Sequence, residues 1–118
     1  MPNLKTVIDC NVIISASLRS SNCAKLINQV ALNNFNAVSI PILAEYLQVA
    51  KRKKFSKYQN LILSYIEAVC EVSSIIDINF FKINYCLNDK SDEIYLKTAM
   101  KFKADYLITG NIKDFPLP

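Results

Sequence analysis

The chain has 118 residues, the size of one domain, and 52% of them are hydrophobic, enough to fill a core without disulfides or a structural metal. It carries 14 Lys and Arg against 10 Asp and Glu, a formal net charge of +4, and it has no histidine and a single glycine. The missing histidine excludes Ser-His and Cys-His hydrolysis, and one glycine cannot build a Walker A or Rossmann phosphate cradle.

Leu4 to Ile8 is a run rich in β-branched residues closed by Asp9, which predicts a buried central strand with a carboxylate at its C-terminal end. Cys23, Leu26, Ile27, Val30 and Ala31 follow the spacing of one helical face, introduced by the capping pair Ser21 and Asn22. Ala37 to Ile40 predicts a second strand, and Pro41 suits the first turn of a helix carrying Leu43, Tyr46, Leu47 and Ala50. Lys51 to Lys54 ends that helix, and Tyr58 to Val72 supplies the second arm of a helical hairpin. Ser73 to Ile76 is a third strand, while Asn79 to Asn88 fits either a short helix or an extended connection. Ser91 to about Phe102 predicts a helix and Ala104 to Thr109 a final buried strand. The expected class is α/β, three layers around a central parallel sheet, in one domain spanning residues 1–118.

In open parallel sheets the ligand crevice lies beyond the C-terminal strand ends, near the point where strand order reverses. Asp9 and the loop over residues 110–114 belong there. Glu45, one turn into the helix after the second strand, and Asp92, in the first turn of the helix before the last strand, can face the same crevice. Clustered carboxylates repel one another and persist when a hard divalent cation neutralises them, so Mg²⁺ or Mn²⁺ is the expected cofactor. Such an ion lowers the pKa of a bound water and neutralises a phosphodiester, which replaces the absent histidine. Plainer roles compete: Asp9 could simply begin a turn, Asp92 and Glu93 could do no more than complement the helix dipole, and Cys10, with no base beside it, reads as a small core residue.

The segments VIDCNVIISA around Asp9, SIPILAEY around Glu45, NDKSDEIYLKTA around Asp92 and ADYLITGNIKDFP around Asp114 resemble the four motifs of PIN domains, over nearly the whole chain. Within that family the chain resembles the toxin components of bacterial toxin-antitoxin systems. The resemblance implies a metal-dependent endoribonuclease acting on single-stranded RNA, with Asp9, Glu45 and Asp92 as metal-site acids and Asn11 and Thr109 as polar supports. For the fourth ligand it offers Asn111, where many relatives have Asp, and Asp114 three residues later, which we favour. It also implies a cognate antitoxin, and a homodimer is expected. Two departures stand out. Cys10 occupies a position where a hydroxyl residue is usual, which is expected to remove one hydrogen bond near the metal. The chain also stops at Pro118, where members commonly continue into one more short strand. A catalytically weak module that binds RNA or protein is the alternative.

Lys51, Arg52, Lys53 and Lys54 form the densest basic run, either a solvated helix end or a contact for RNA phosphates. Setting aside the four candidate acids leaves six acidic residues against 14 basic ones, which favours a nucleic-acid partner. Charged residues interrupt every apolar stretch well short of the roughly 20 residues that span a bilayer, so no membrane association is expected. No secretory signal is evident at the N-terminus, and a cytoplasmic location with free thiols at Cys10, Cys23, Cys70 and Cys86 follows as an expectation.

Overall fold

A computed structural model of the protein describes residues 4–18, 21–33, 35–82 and 90–109. In chain order the elements are β1 (Lys5–Ile8), α1 (Cys10–Leu18), α2 (Ser21–Asn33), β2 (Phe35–Val38), α3 (Ile40–Ala50), a 3-10 helix (Lys53–Tyr58), α4 (Gln59–Glu71), β3 (Ser73–Ile75), α5 (Lys90–Phe102) and β4 (Tyr106–Ile108). The strands form one four-stranded parallel sheet in the order β3-β2-β1-β4, the α/β/α architecture expected. Order reverses at β1, whose neighbours are β2 on one side and β4 on the other. Thr6, Val7 and Ile8 of this central strand are all buried, which is why its residues read as a continuous β-branched run.

Four elements differ from the sequence expectation, each for a local reason. α1 was not anticipated; its Cys10, Val12, Ile13, Ile14 and Ser17 are all buried, so the helix lacks the polar face that reveals an amphipathic one. β2 begins and ends two residues earlier than predicted, because Ser39 leaves the strand to cap α3 and its side chain accepts the Ile42 N–H. Past the end of α3, Lys53–Tyr58 coils into a 3-10 turn that the basic run does not announce. β4 is shorter than expected and among the described residues lies at the end of the sheet, with Tyr106 54% exposed, so it is not a buried strand.

The core joins Val7 and Ile8 of β1, Val38 of β2, Ile42 and Tyr46 of α3, Ile62 and Val69 of α4, and Tyr95 of α5. Burying each such side chain contributes about 1.5–3 kcal/mol. A polar rung crosses the sheet beside it. Thr6 Oγ1 donates to Asn36 Oδ1 at 2.9 Å, and Asn36 Nδ2 donates to Ser73 Oγ at 2.7 Å. These residues are register partners across β1, β2 and β3, so the rung holds three strands at one level.

α5 ends in a Schellman turn: the Ala104 N–H donates to the Ala99 carbonyl at 2.8 Å and the Lys103 N–H to the Met100 carbonyl at 3.1 Å. Lys103 occupies the left-handed position of this turn with φ 59°, where a Cβ is strained and glycine is usual. Lys103→Gly is therefore expected to stabilise the protein by about 1 kcal/mol, read as a rise of about 3–5 °C in the thermal midpoint. An unchanged or lower midpoint would show that the Lys103 side chain contributes more than its backbone geometry costs. Among the described residues no helix is long and apolar enough to cross a membrane.

Candidate metal centre

Asp9 follows β1 directly and begins α1. Its main-chain N–H donates to the Ile108 carbonyl of β4 at 2.8 Å, and its carbonyl accepts the Val12 N–H at 3.1 Å. The side chain caps the helix: Oδ1 accepts the Asn11 N–H at 3.1 Å, while Oδ2 accepts the Thr109 hydroxyl at 3.2 Å. Only 4% of Asp9 is exposed. The carboxylate is thus fixed on both oxygens at the place where strand order reverses, the position at which parallel sheets bind ligands. Thr109 contributes its hydroxyl to this arrangement, whereas Asn11 contributes its backbone and leaves its side chain exposed.

Glu45 projects from α3, partly buried, and its Oε1 accepts the Cys10 thiol at 3.6 Å. Contrary to the expectation for a thiol at position 10, a hydrogen bond is made here. Burial, then the charges of Asp9 and Glu45, push the Cys10 pKa up to about 12, so the sulfur is a neutral donor and not a nucleophile. Burial above all, and then neighbouring groups that include Cys10, Asp9 and Glu45, raise the pKa of Tyr46 and Tyr95 above the usual phenol range.

Both tyrosines reach the backbone next to Asp9. The Tyr46 hydroxyl of α3 donates to the Ile8 carbonyl, and the Tyr95 hydroxyl of α5 accepts the Cys10 N–H at 3.3 Å. Each is 1% exposed. Helical spacing alone reads them as packing residues; the functional signal is their linkage to candidate acids, Glu45 preceding Tyr46 and Asp92 standing one turn before Tyr95. Thr98 of α5 adds a further tie, its Oγ1 lying 2.8 Å from Ser39 Oγ at the cap of α3.

Asp92 occupies the first turn of α5, partly buried, on the face that Tyr95 presents to Cys10. Asn111 and Asp114 lie outside the described residues. Among the described residues no three His, Cys, Asp or Glu side chains form a group that could hold a metal ion; the pair the structure brings together is Asp9 and Glu45, through Cys10. Lys51 caps the C-terminal end of α3, and Lys51, Arg52, Lys53 and Lys54 are all exposed, with the Lys54 ammonium 5.1 Å from the Phe55 ring centroid.

A model of the PIN domain matches residues 5–113 of the chain. Among solved structures, the crystal structure of VapBC2 from Rickettsia felis bound to a DNA fragment from their promoter contains a chain with the same fold. It has a TM-score of 0.63 and 21% sequence identity, over 95% of this chain and 91% of that one. No curated protein sequence matches.

Proposed function

Because the chain belongs to the PIN domain family, we propose that it is a divalent-metal-dependent endoribonuclease that hydrolyses phosphodiester bonds of single-stranded RNA. The observation that carries this reading is the buried Asp9 carboxylate, held on both oxygens at the reversal of strand order, with Glu45 hydrogen-bonded to the adjoining Cys10. PIN domains are generally nucleases, and a chain without histidine needs another source of a nucleophilic water.

The donors suit Mg²⁺ or Mn²⁺. Carboxylate oxygens are the ligands these hard cations take, and Asp9 and Glu45 bring two of them to either side of Cys10. In this proposal Asp9, Glu45 and Asp92 hold the ion, and Asp114, or in its place Asn111, completes the set. When bound, the ion supplies a water of lowered pKa and neutralises charge on the scissile phosphate. Thr109 and the Asn11 amide keep Asp9 pointed at it, and Lys51, Arg52, Lys53 and Lys54 bind the RNA backbone.

The biological reading is a toxin component of a toxin-antitoxin system, active in the cytoplasm as a single-domain chain and a homodimer, and inhibited by a cognate antitoxin. Two things support it: the motif resemblance, and the fold shared with a chain of the VapBC2 complex. The test is incubation of a mixed single-stranded RNA pool with purified protein and Mn²⁺ or Mg²⁺, with and without EDTA. Cleavage that EDTA abolishes is expected. Absence of cutting by folded protein that takes up Mn²⁺ would sink the nuclease reading in favour of a binding module, which Cys10 in place of the usual hydroxyl residue and Asn111 in place of the usual acid motivate.

A further inference from the structure

The turn that carries Asp9 is tied down from both sides. Immediately before it, the Ile8 carbonyl accepts the Tyr46 hydroxyl; immediately after it, the Cys10 N–H donates to the Tyr95 hydroxyl at 3.3 Å. Cys10 is the first residue of α1, so its N–H has no carbonyl to meet within its own helix. The next two amides go to Asp9 itself, Asn11 to Oδ1 and Val12 to the carbonyl. A phenol from another helix thus completes the cap. Packing alone does not explain these hydroxyls, since phenylalanine would fill the same space without bringing a polar group into the core.

What distinguishes the two tyrosines is where they come from. Tyr46 follows Glu45 on α3, and Tyr95 lies one turn after Asp92 on α5. The main chain on either side of one candidate acid is therefore bonded to the two helices that carry the other two. α3 and α5 are also joined to each other, through Thr98 and Ser39, both fully buried. A shift of either helix would strain a bond beside Asp9, and a shift of the turn would strain both.

We propose that Tyr46 and Tyr95 are positioning residues that set the separation of Asp9 from Glu45 and Asp92 through their hydrogen bonds to Ile8 and Cys10. This rests on the metal-site reading above for its purpose, but its geometry is independent of any ion. Neither phenol is a ligand. They form a clamp that arranges the acids before a cation arrives, and without it the carboxylates would have to be brought into place at the expense of binding.

The test uses Tyr46→Phe and Tyr95→Phe, with Ile62→Val in α4 as a fully buried control whose side chain makes no hydrogen bond. Amide hydrogen exchange and Mn²⁺ titration calorimetry are measured on all four proteins, well below their thermal midpoints. The Asn11 amide is the reporter, because its hydrogen bond goes to the Asp9 carboxylate and not to either tyrosine. Its exchange is expected to rise about 10-fold in both Phe variants and to hold in the control, and the Mn²⁺ dissociation constant to rise about 10-fold, as for loss of a support behind metal ligands. Unchanged Asn11 exchange in both Phe variants overturns the proposal, even if their midpoints fall. Faster exchange with Mn²⁺ affinity equal to the unsubstituted protein overturns it as well. If the unsubstituted protein takes up no Mn²⁺, the metal-site reading fails, while Asn11 exchange still decides whether the hydroxyls hold Asp9.

Discussion

Asp9→Asn is expected to lower metal-dependent RNA cleavage at least about 10²-fold while leaving the thermal midpoint within about 1 °C, whereas Asp9→Ala is expected to lower both. The difference follows from the two roles of this side chain. As the cap of α1, Asp9 accepts the Asn11 N–H through Oδ1, and asparagine caps a helix about as well as aspartate. Its amide nitrogen can donate to the Thr109 oxygen in place of the present contact at Oδ2. As a candidate metal ligand, however, an amide lacks the charge that holds a hard dication, and metal stabilisation of a phosphodiester transition state is worth several kcal/mol, or at least about 10²-fold in rate. Alanine removes the cap too, at about 1 kcal/mol, and the midpoint falls by about 3–5 °C. Thermal melts and RNA cleavage on the same preparations check both halves. Full activity in Asp9→Asn would remove Asp9 from the site and leave it as a cap alone, the plainer role its position already allows.

The parts of the site that were legible in the sequence are those whose cause is local. The β-branched run into Asp9 marks a buried strand because such residues pack well on a pleated surface, and the structure makes it the central one. Pro41 marks the first turn of α3, which places Glu45, and the acidic start of α5 places Asp92. What escaped depends on distant partners. α1 is buried on most faces, so its Val12, Ile13 and Ile14 carry no helical contrast and its β-branched residues lean the wrong way. Ser39 could have extended β2, and only the hydrogen bond to Ile42 shows that it stops the strand. Tyr95 is separated by 85 positions from the amide it meets, and Tyr46 by 38 from its carbonyl. The apolar spacing around Tyr46 reports its burial but is silent about the hydroxyl at the tip, and for both tyrosines that hydroxyl is where packing becomes relevant to the site.

Asn36→Ala is expected to cost about 2–3 kcal/mol, a fall of roughly 6–15 °C in the thermal midpoint, although Asn36 is itself no candidate ligand. The side chain is 1% exposed and stands between Thr6 of β1 and Ser73 of β3, accepting from one and donating to the other. Truncation removes both bonds and leaves a cavity in a layer that cannot collapse freely. Part of the loss is the desolvation of the partners, so Thr6→Val, Asn36→Leu and Ser73→Ala made together should recover much of the stability that the single change removes, because no polar group is then left buried alone. Urea denaturation of the single and triple variants measures this, and equal losses in both would show that cavity formation outweighs the hydrogen bonds. The rung matters to the site because it sets register. A slip of one residue moves a strand by about 3.3 Å and turns its side chains to the opposite face. Ser39 follows β2 directly, so a slip of β2 against β1 would carry the cap of α3, and Glu45 with it, away from Asp9. The polar rung therefore contributes what an apolar replacement cannot: the triple variant is expected to keep stability while holding the strands at a less strictly defined level, seen as broadened amide resonances in β2 and weaker Mn²⁺ binding. Sharp resonances and unchanged Mn²⁺ affinity in the triple variant would mean that hydrophobic pattern alone sets the register.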